Sequence, residues 1–401
     1  MRETTTLPPQ RVSSVDAYRG FVMFLMMAEV LRFSRVAEAF PDSAFWAFMD
    51  FHQSHVPWVG CSLHDLIQPS FSFLVGVALP YSMASRASKS ESVSMMWLHT
   101  IRRSLILVFL GIFLRSMHSE QTNFTFEDTL TQIGLGYPIL FALGFASEKI
   151  QRDALAWGAL GVILIGYAAA FALYPLPALD FDWSQTGTTA DWEHNLKGFA
   201  AHWNKNTNAA WAFDRWFLNL FPREKPFEFN GGGYSTLSFI PTLGTMILGL
   251  IAGKWLKSAT SYAWLLKRFV VTSAILLILA LLLHFTGLNP IVKRIWTPAW
   301  TLFSGGCAFL LLAAFYFVVD VKENKSWFFP LIVIGTNSIA AYIIADGFGS
   351  FIRGSFKIHL GQHYDTVFGD GYASLISGAL ILLVEWLILR WMYKKKIFIK
   401  I

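Results

Sequence analysis

Runs of about 20 apolar residues recur along the chain, and that is the length an α-helix needs to cross the hydrocarbon of a bilayer. They fall at about 15–33, 66–84, 101–117, 129–146, 154–173, 236–254, 267–285, 298–319, 328–346 and 371–392. Hydrocarbon offers no partner to a backbone N–H or C=O, so such runs predict spanning helices whose hydrogen bonds close within each segment. Only 14% of the 401 residues are charged, where soluble domains carry about 25%, which excludes an ordinary soluble enzyme. The expected fold class is all-α: a polytopic membrane bundle of about ten spans in a single domain over 1–401. A re-entrant piece around 346–360 would be an eleventh element.

The scarce charges orient the bundle. With the N-terminus inside, Arg2, Arg11, Arg86, Lys89, Arg102, Arg103, Lys149, Arg152, Lys254, Lys257, Lys267, Arg268, Lys322, Lys325, Arg390, Lys394, Lys395, Lys396 and Lys400 face the cytoplasm, 19 of the 32 Lys and Arg. The outer set has 10 members, half of them in one long loop, so the positive-inside rule predicts both termini to be cytoplasmic. This grouping explains the net charge of +6 without a nucleic-acid partner. The first 14 residues hold no cleavable signal, and the first run reads as an uncleaved anchor. Cys61 and Cys307 form neither a disulfide framework nor a metal spacing. The loop at about 174–235 is expected outside. It carries Trp183, Trp192, Trp203, Trp211 and Trp216, which suit either the membrane interface and loop packing or stacking on sugars.

The densest chemistry lies between the first two spans, in FHQSHVPWVGCSLHDLIQPSFSFLVG: His52, His55, Trp58, His64 and Asp65. A neutral imidazole can take a proton from an amine or hydroxyl, or accept an acyl group, and a carboxylate on its other nitrogen would fix its tautomer. Asp65 also opens the second span, where it would serve as a helix cap. Solvated loop histidines are the plainer alternative, and a metal set is disfavoured by the absence of an HxxxH or HExxH pair. Asp16 and Arg19 stand three residues apart near the inner end of the first span, as a structural pair or an anion site. Glu29 lies near the outer end of the same run. Asn337 is expected mid-helix in GTNSIAAYIIAD, either joining helices or donating to a carbonyl. The glycines of LGTMILGLIAG point to close helix contact.

The segments RVSSVDAYRGFVMFLMM, HVPWVGCSLHDLIQPSFSFLVGVALPYS, IPTLGTMILGLIAGKWL and GTNSIAAYIIAD resemble, in that order, the transmembrane acyltransferases related to heparan-alpha-glucosaminide N-acetyltransferase. The resemblance runs from about residue 11 to the end of the chain and is most specific at His55, Trp58, Gly60, Asp65, Leu66, Pro69, Phe71, Phe73 and Gly76. It implies an integral protein of a bacterial inner membrane that moves an acetyl group from cytosolic acetyl-CoA to an amino sugar or glycan on the far side, with no metal. It further implies His55 as catalytic base or acyl carrier with Asp65 as its partner. Asn337 would polarise the thioester carbonyl, Asp16 and Arg19 would hold the CoA end, and Glu29, Trp58 and His52 would face the acceptor. The chain departs from the family at Glu29 and Val30, where an Asn is usual, at Gln132, where an Arg is expected, and at the glycines of NGGGYSTL. No stretch of the sequence is expected to correspond to the lumenal domain of the animal enzyme. An O-acyltransferase of envelope polysaccharide is the neighbouring reading, and a transporter or lipid-binding protein the non-enzymatic one. Membrane lipid is a partner of any such bundle, and a homodimer stays open.

Overall fold

The computed structural model describes residues 12–117, 119–150 and 153–399. Residues 1–11, and with them Arg2 and Arg11 of the inner set, lie outside the described residues, as do Arg152 and Lys400. Among the described residues there is no strand, and a single antiparallel bridge joins Val59 to Val292. The helices are α1 (Ser13–Met27), α2 (Phe33–Ala39), α3 (Ala44–Gln53), α4 (Ile67–Ala87), α5 (Val93–Ser116), α6 (Thr129–Ile150) and α7 (Ala154–Ala172). They continue with α8 (Ala209–Phe217), α9 (Phe239–Ser258), α10 (Tyr262–Phe285), α11 (Pro298–Phe315), α12 (Phe329–Gly335), α13 (Ser338–Leu360) and α14 (Ala373–Lys394).

Among the described residues, eight helices are long and apolar enough to cross a membrane, and nine if the bent pair α12–α13 is one span. The chain is an integral membrane protein. The first apolar run breaks earlier than expected: α1 ends at Met27, a 3₁₀ turn covers Ala28–Leu31, and Arg32 turns the chain with φ of 50°. Fifteen α-helical and four 3₁₀ residues still reach about 30 Å, the thickness of the hydrocarbon.

The run at 328–346 is not a straight span. It breaks between Gly335 and Ser338 with a bend of 84°, and the segment at 346–360 is the continuation of α13 rather than an element of its own. The cause is tertiary. Gly335 lies flat on the Asp16 carbonyl of α1, and Asn337 leaves helical geometry to bond its amide to the chain's last described turn.

The core helix is α9, whose apolar stretch is 83% buried within the protein, against 22% for α7, 28% for α5 and α14 and 33% for α10, which therefore form the lipid-facing rim. α9 packs against α4 backbone to backbone. A methyl on Gly249 would overlap the Phe73 carbonyl, and one on Gly76 would overlap that of Met246, so the packing reading of LGTMILGLIAG holds. Gly249→Ala is expected to cost about 1–3 kcal/mol through overpacking and to lower the melting temperature in detergent. An unchanged melting curve would show that the two helices can separate freely.

Residues assigned to the inner face do meet at one end of the bundle. Lys254 pairs with Asp153 at 2.7 Å, Lys257 with Glu148 at 3.4 Å, and Arg86 with Glu91 at 3.1 Å. The 174–235 loop packs over the opposite end. Trp203 stacks on Phe171 of α7 with centroids 4.6 Å apart, and Trp211 donates to the Glu228 carbonyl, so these two indoles build the loop instead of presenting a face to sugars.

Candidate active site

Asp65 sits in the 3₁₀ turn His64–Leu66 that leads into α4, and both its oxygens are engaged. Oδ1 lies 2.8 Å from Nδ1 of His55. Oδ2 accepts from the Val56 and Ser62 amides at 3.3 and 3.0 Å and from the Ser62 hydroxyl at 3.1 Å. The bonds run to the loop before the helix, so Asp65 does not cap α4 as its position in sequence had implied. They fold the segment 55–65 into a closed turn around one carboxylate. A carboxylate only accepts, so Nδ1 of His55 carries the proton and Nε2 presents the basic lone pair.

A third charged group completes the cluster, and sequence reasoning missed it. Lys293, 5% exposed, places Nζ 3.4 Å from Asp65 Oδ1 and 3.1 and 3.4 Å from Nδ1 and Nε2 of His55. The ammonium is almost equidistant from the two ring nitrogens and within hydrogen-bond distance of each. Lys293 is held in place by its loop. Gly60 donates to the Ile291 carbonyl, Thr297 bonds the Val292 amide, and Trp296 turns the chain with φ of 49°. The neighbouring Arg294 bonds the carbonyls of Gly232 and Val56 and covers the Tyr234 ring. Gly233, with φ of 77° and no room for a Cβ against Trp58, lets the NGGGY segment fold there and bring Tyr234 beside His55, with centroids 6.5 Å apart.

Burial lowers the pKa of His55, and the cations Lys293 and Arg294 lower it further, while the bond to Asp65 pulls the other way. Burial pushes Lys293 down to about 8, opposed by the Asp65 carboxylate. At neutral pH the cluster is thus a carboxylate, a neutral imidazole and an ammonium.

Two cavities flank this cluster. The outer one, of about 940 Å³, is lined by His55, His64, Lys293, Glu29, Tyr234 and Asn230, with Arg115, Arg353, Asp346 and Glu385 farther round. The inner one, of about 660 Å³, opens among Arg19, Arg86, Arg102, Arg103 and His99 and has apolar walls from α4 and α6. No carboxylate lines it among the described residues. Phe71, Thr129 and Tyr342 line both cavities, so the two adjoin there, about one helical turn below the outer end of α4.

The other expected site residues separate. Glu29 lies in the outer cavity, with Oε1 3.3 Å from Nε2 of His64. Arg19 lines the inner cavity and lies 3.4 Å from Asp16. Three expectations need correction. Trp58 is 1% exposed, donates to the Trp203 carbonyl and packs with Tyr167 and Phe171, so it anchors the outer loop and lines neither cavity. His52 accepts the Leu63 amide through Nδ1 and lies against Phe48 and Phe51, away from both cavities. Asn337 stands at the N-cap of α13 rather than mid-helix. Its amide donates to the Ile397 carbonyl and accepts the Ile399 amide, so it ties α13 to the segment after α14. Gln132, where a charge was expected, accepts from Thr242 at 2.8 Å and so ties α6 to α9. No three of His, Cys, Asp or Glu group to hold a metal ion among the described residues.

The sequence matches the family described as "Domain of unknown function (DUF5009)" over residues 11–212. It is also 24% identical to heparan-alpha-glucosaminide N-acetyltransferase of Homo sapiens over 437 aligned residues, which cover 99% of this chain and 61% of the human protein. The protein of that name from Mus musculus is likewise 24% identical, over 100% of this chain and 62% of its own length. The chain thus spans about three-fifths of the length of these relatives.

Proposed function

The chain belongs to the DUF5009 family, and from that footing we propose that it is a membrane-embedded acyltransferase working between the two cavities. It takes an acetyl group from acetyl-CoA held in the basic inner cavity on the cytosolic side and passes it to the amine of a sugar or glycan held in the outer one. The observation that carries this reading is the meeting of the cavities at Phe71, Thr129 and Tyr342, with a tautomer-fixed histidine lining the outer of the two. A catalyst that joins reactants from opposite sides of a bilayer needs two mouths, one junction and a base in the space they share. The likeness to N-acetyltransferases supports the same reading.

In this scheme Nε2 of His55 removes the proton of the attacking amine, or carries the acyl group itself, and Asp65 steadies the imidazolium that forms. Arg19, Arg102 and Arg103 face the phosphates of the donor, where guanidinium groups give paired, charge-assisted bonds. Glu29 faces the acceptor, where it attracts a protonated amine.

Acetyl-CoA is expected to raise the melting temperature of the purified protein saturably, as a ligand of the folded state must. The double substitution of Arg102 and Arg103 by Ala should weaken that response at least about tenfold, since a lost charge-assisted bond is worth about 1.5–3 kcal/mol. Absence of any response in the unsubstituted protein at millimolar acetyl-CoA would favour a transporter instead. Acetylation of hydroxyl acceptors in place of amines would identify the O-acyltransferase.

A further inference from the structure

We infer that Lys293 is a third member of the reacting cluster, supplying the positive charge that the developing oxyanion of the acyl carbonyl meets beside Nε2 of His55. The inference rests on the acyl-transfer reading and goes beyond it by assigning the carbonyl-polarising role to Lys293, whereas the Asn337 amide is bonded to Ile397 and Ile399. Three observations support it. The ammonium is buried, within 3.4 Å of both ring nitrogens and of Asp65 Oδ1. It lines the same outer cavity as His55. Its loop is fastened to the His55 loop by the Val59–Val292 bridge and the Gly60–Ile291 bond, which set the two side chains side by side.

The step balances as follows. Nε2 takes a proton from the acceptor amine as its nitrogen forms a bond to the thioester carbon. The carbonyl π electrons move to oxygen, which becomes negative beside the Lys293 ammonium. The oxyanion then collapses, the C–S bond breaks, and the CoA thiolate takes the proton from Nε2. Amide and CoA thiol leave, and His55 and Lys293 end as they began. A preorganised cation in a site shielded from water is worth more than one in solvent, because no solvent has to reorganise when the charge appears. In the resting state the same ammonium disfavours imidazolium and so keeps Nε2 unprotonated at neutral pH.

The charged and titratable groups that face His55 are Asp65 and His64 from the turn before α4, Lys293 and Arg294 from the loop before α11, and Tyr234 from the segment before α9. Glu29 bears on it through His64. Removing Lys293 deletes one of the two cations that lower the His55 pKa, so the acid limb of the pH profile must move to higher pH. The bond from Asp65 remains to hold the tautomer.

The test compares wild type, Lys293→Met, Lys293→Gln and Lys293→Arg as full chains in detergent, with acetyl-CoA and glucosamine. Met and Gln are expected to lower kcat by about 10²–10³-fold, the range for loss of one oxyanion donor, with KM for acetyl-CoA within about threefold. Arg should recover much of the rate. In parallel, histidine ring ¹³C NMR reads the ionisation of His55 whether or not the protein turns over, assigned by the signal lost in His55→Gln. The expected result is an upward shift of its midpoint in Lys293→Gln and little shift in Lys293→Arg. A Lys293→Gln protein that keeps its kcat, or a His55 midpoint that stays put, overturns the role of Lys293. A wild type that acylates no amine or hydroxyl overturns the acyl-transfer reading itself, and the NMR midpoint then still decides whether Lys293 controls His55. If Lys293→Met does not fold, the Gln and Arg variants decide the question.

Discussion

Replacing His55 with Ala is expected to lower acetyl transfer from acetyl-CoA to glucosamine by about 10²–10⁴-fold, the range for loss of a positioned general base. The expectation follows from where the proton sits. Asp65 fixes Nδ1 as donor, so Nε2 is the ring's unprotonated nitrogen, and His55 lines the cavity that Lys293, Glu29 and Tyr234 also line. Ala removes the base, its acyl-carrying nitrogen and its link to the carboxylate together. Binding of acetyl-CoA should survive, because the arginines proposed to hold it line the other cavity. The thermal response to acetyl-CoA is therefore the control, and retained turnover with normal binding would place the chemistry elsewhere.

Asp65→Asn is the second large effect, and it is expected on both activity and stability. The native carboxylate accepts from His55 and Lys293 on one oxygen and from Val56 and Ser62 on the other. An amide has one oxygen. Whichever way it is turned, its NH₂ group confronts donors, either the ring and ammonium or the two amides. Activity should fall by about 10³–10⁴-fold, the scale seen when a histidine loses the carboxylate that sets its tautomer. Lys293 would be left buried without its counter-charge, at a cost of about 3–5 kcal/mol, and the melting temperature should drop. Asp65 supports the charged ring, so its loss lowers the His55 pKa and moves the acid limb down in pH, opposite to the shift expected for Lys293→Gln. Limbs moving in the same direction in the two variants would mean that the three groups do not act on one proton.

The helical membrane architecture was legible because a bilayer makes a local demand: each span must be apolar over about 20 residues by itself. The pairing of His55 with Asp65 was legible for a similar reason, since only 10 residues separate them and one turn suffices to join them. What escaped depends on distant chain. The break at Gly335–Ser338 comes from the backbone of α1 pressing on Gly335 and from the Asn337 bonds to Ile397 and Ile399, about 60 residues away. Lys293 lies 238 residues from His55 and read as one more outer-loop cation, so nothing local to NPIVKRIW marked it as part of the site. Trp58 and His52 failed in the reverse sense. They stand beside His55 in sequence, but the turn around Asp65 sends His55 into the cavity and these two into the packing that holds the turn.

The most direct measurement seals acetyl-CoA inside proteoliposomes that carry the protein and supplies labelled glucosamine only outside. The expected result is acetylated amino sugar accumulating outside with wild type and none above background with His55→Ala. Product formed only when donor and acceptor share one compartment, or formed equally by His55→Ala, would contradict transfer across the membrane through the His55 cluster.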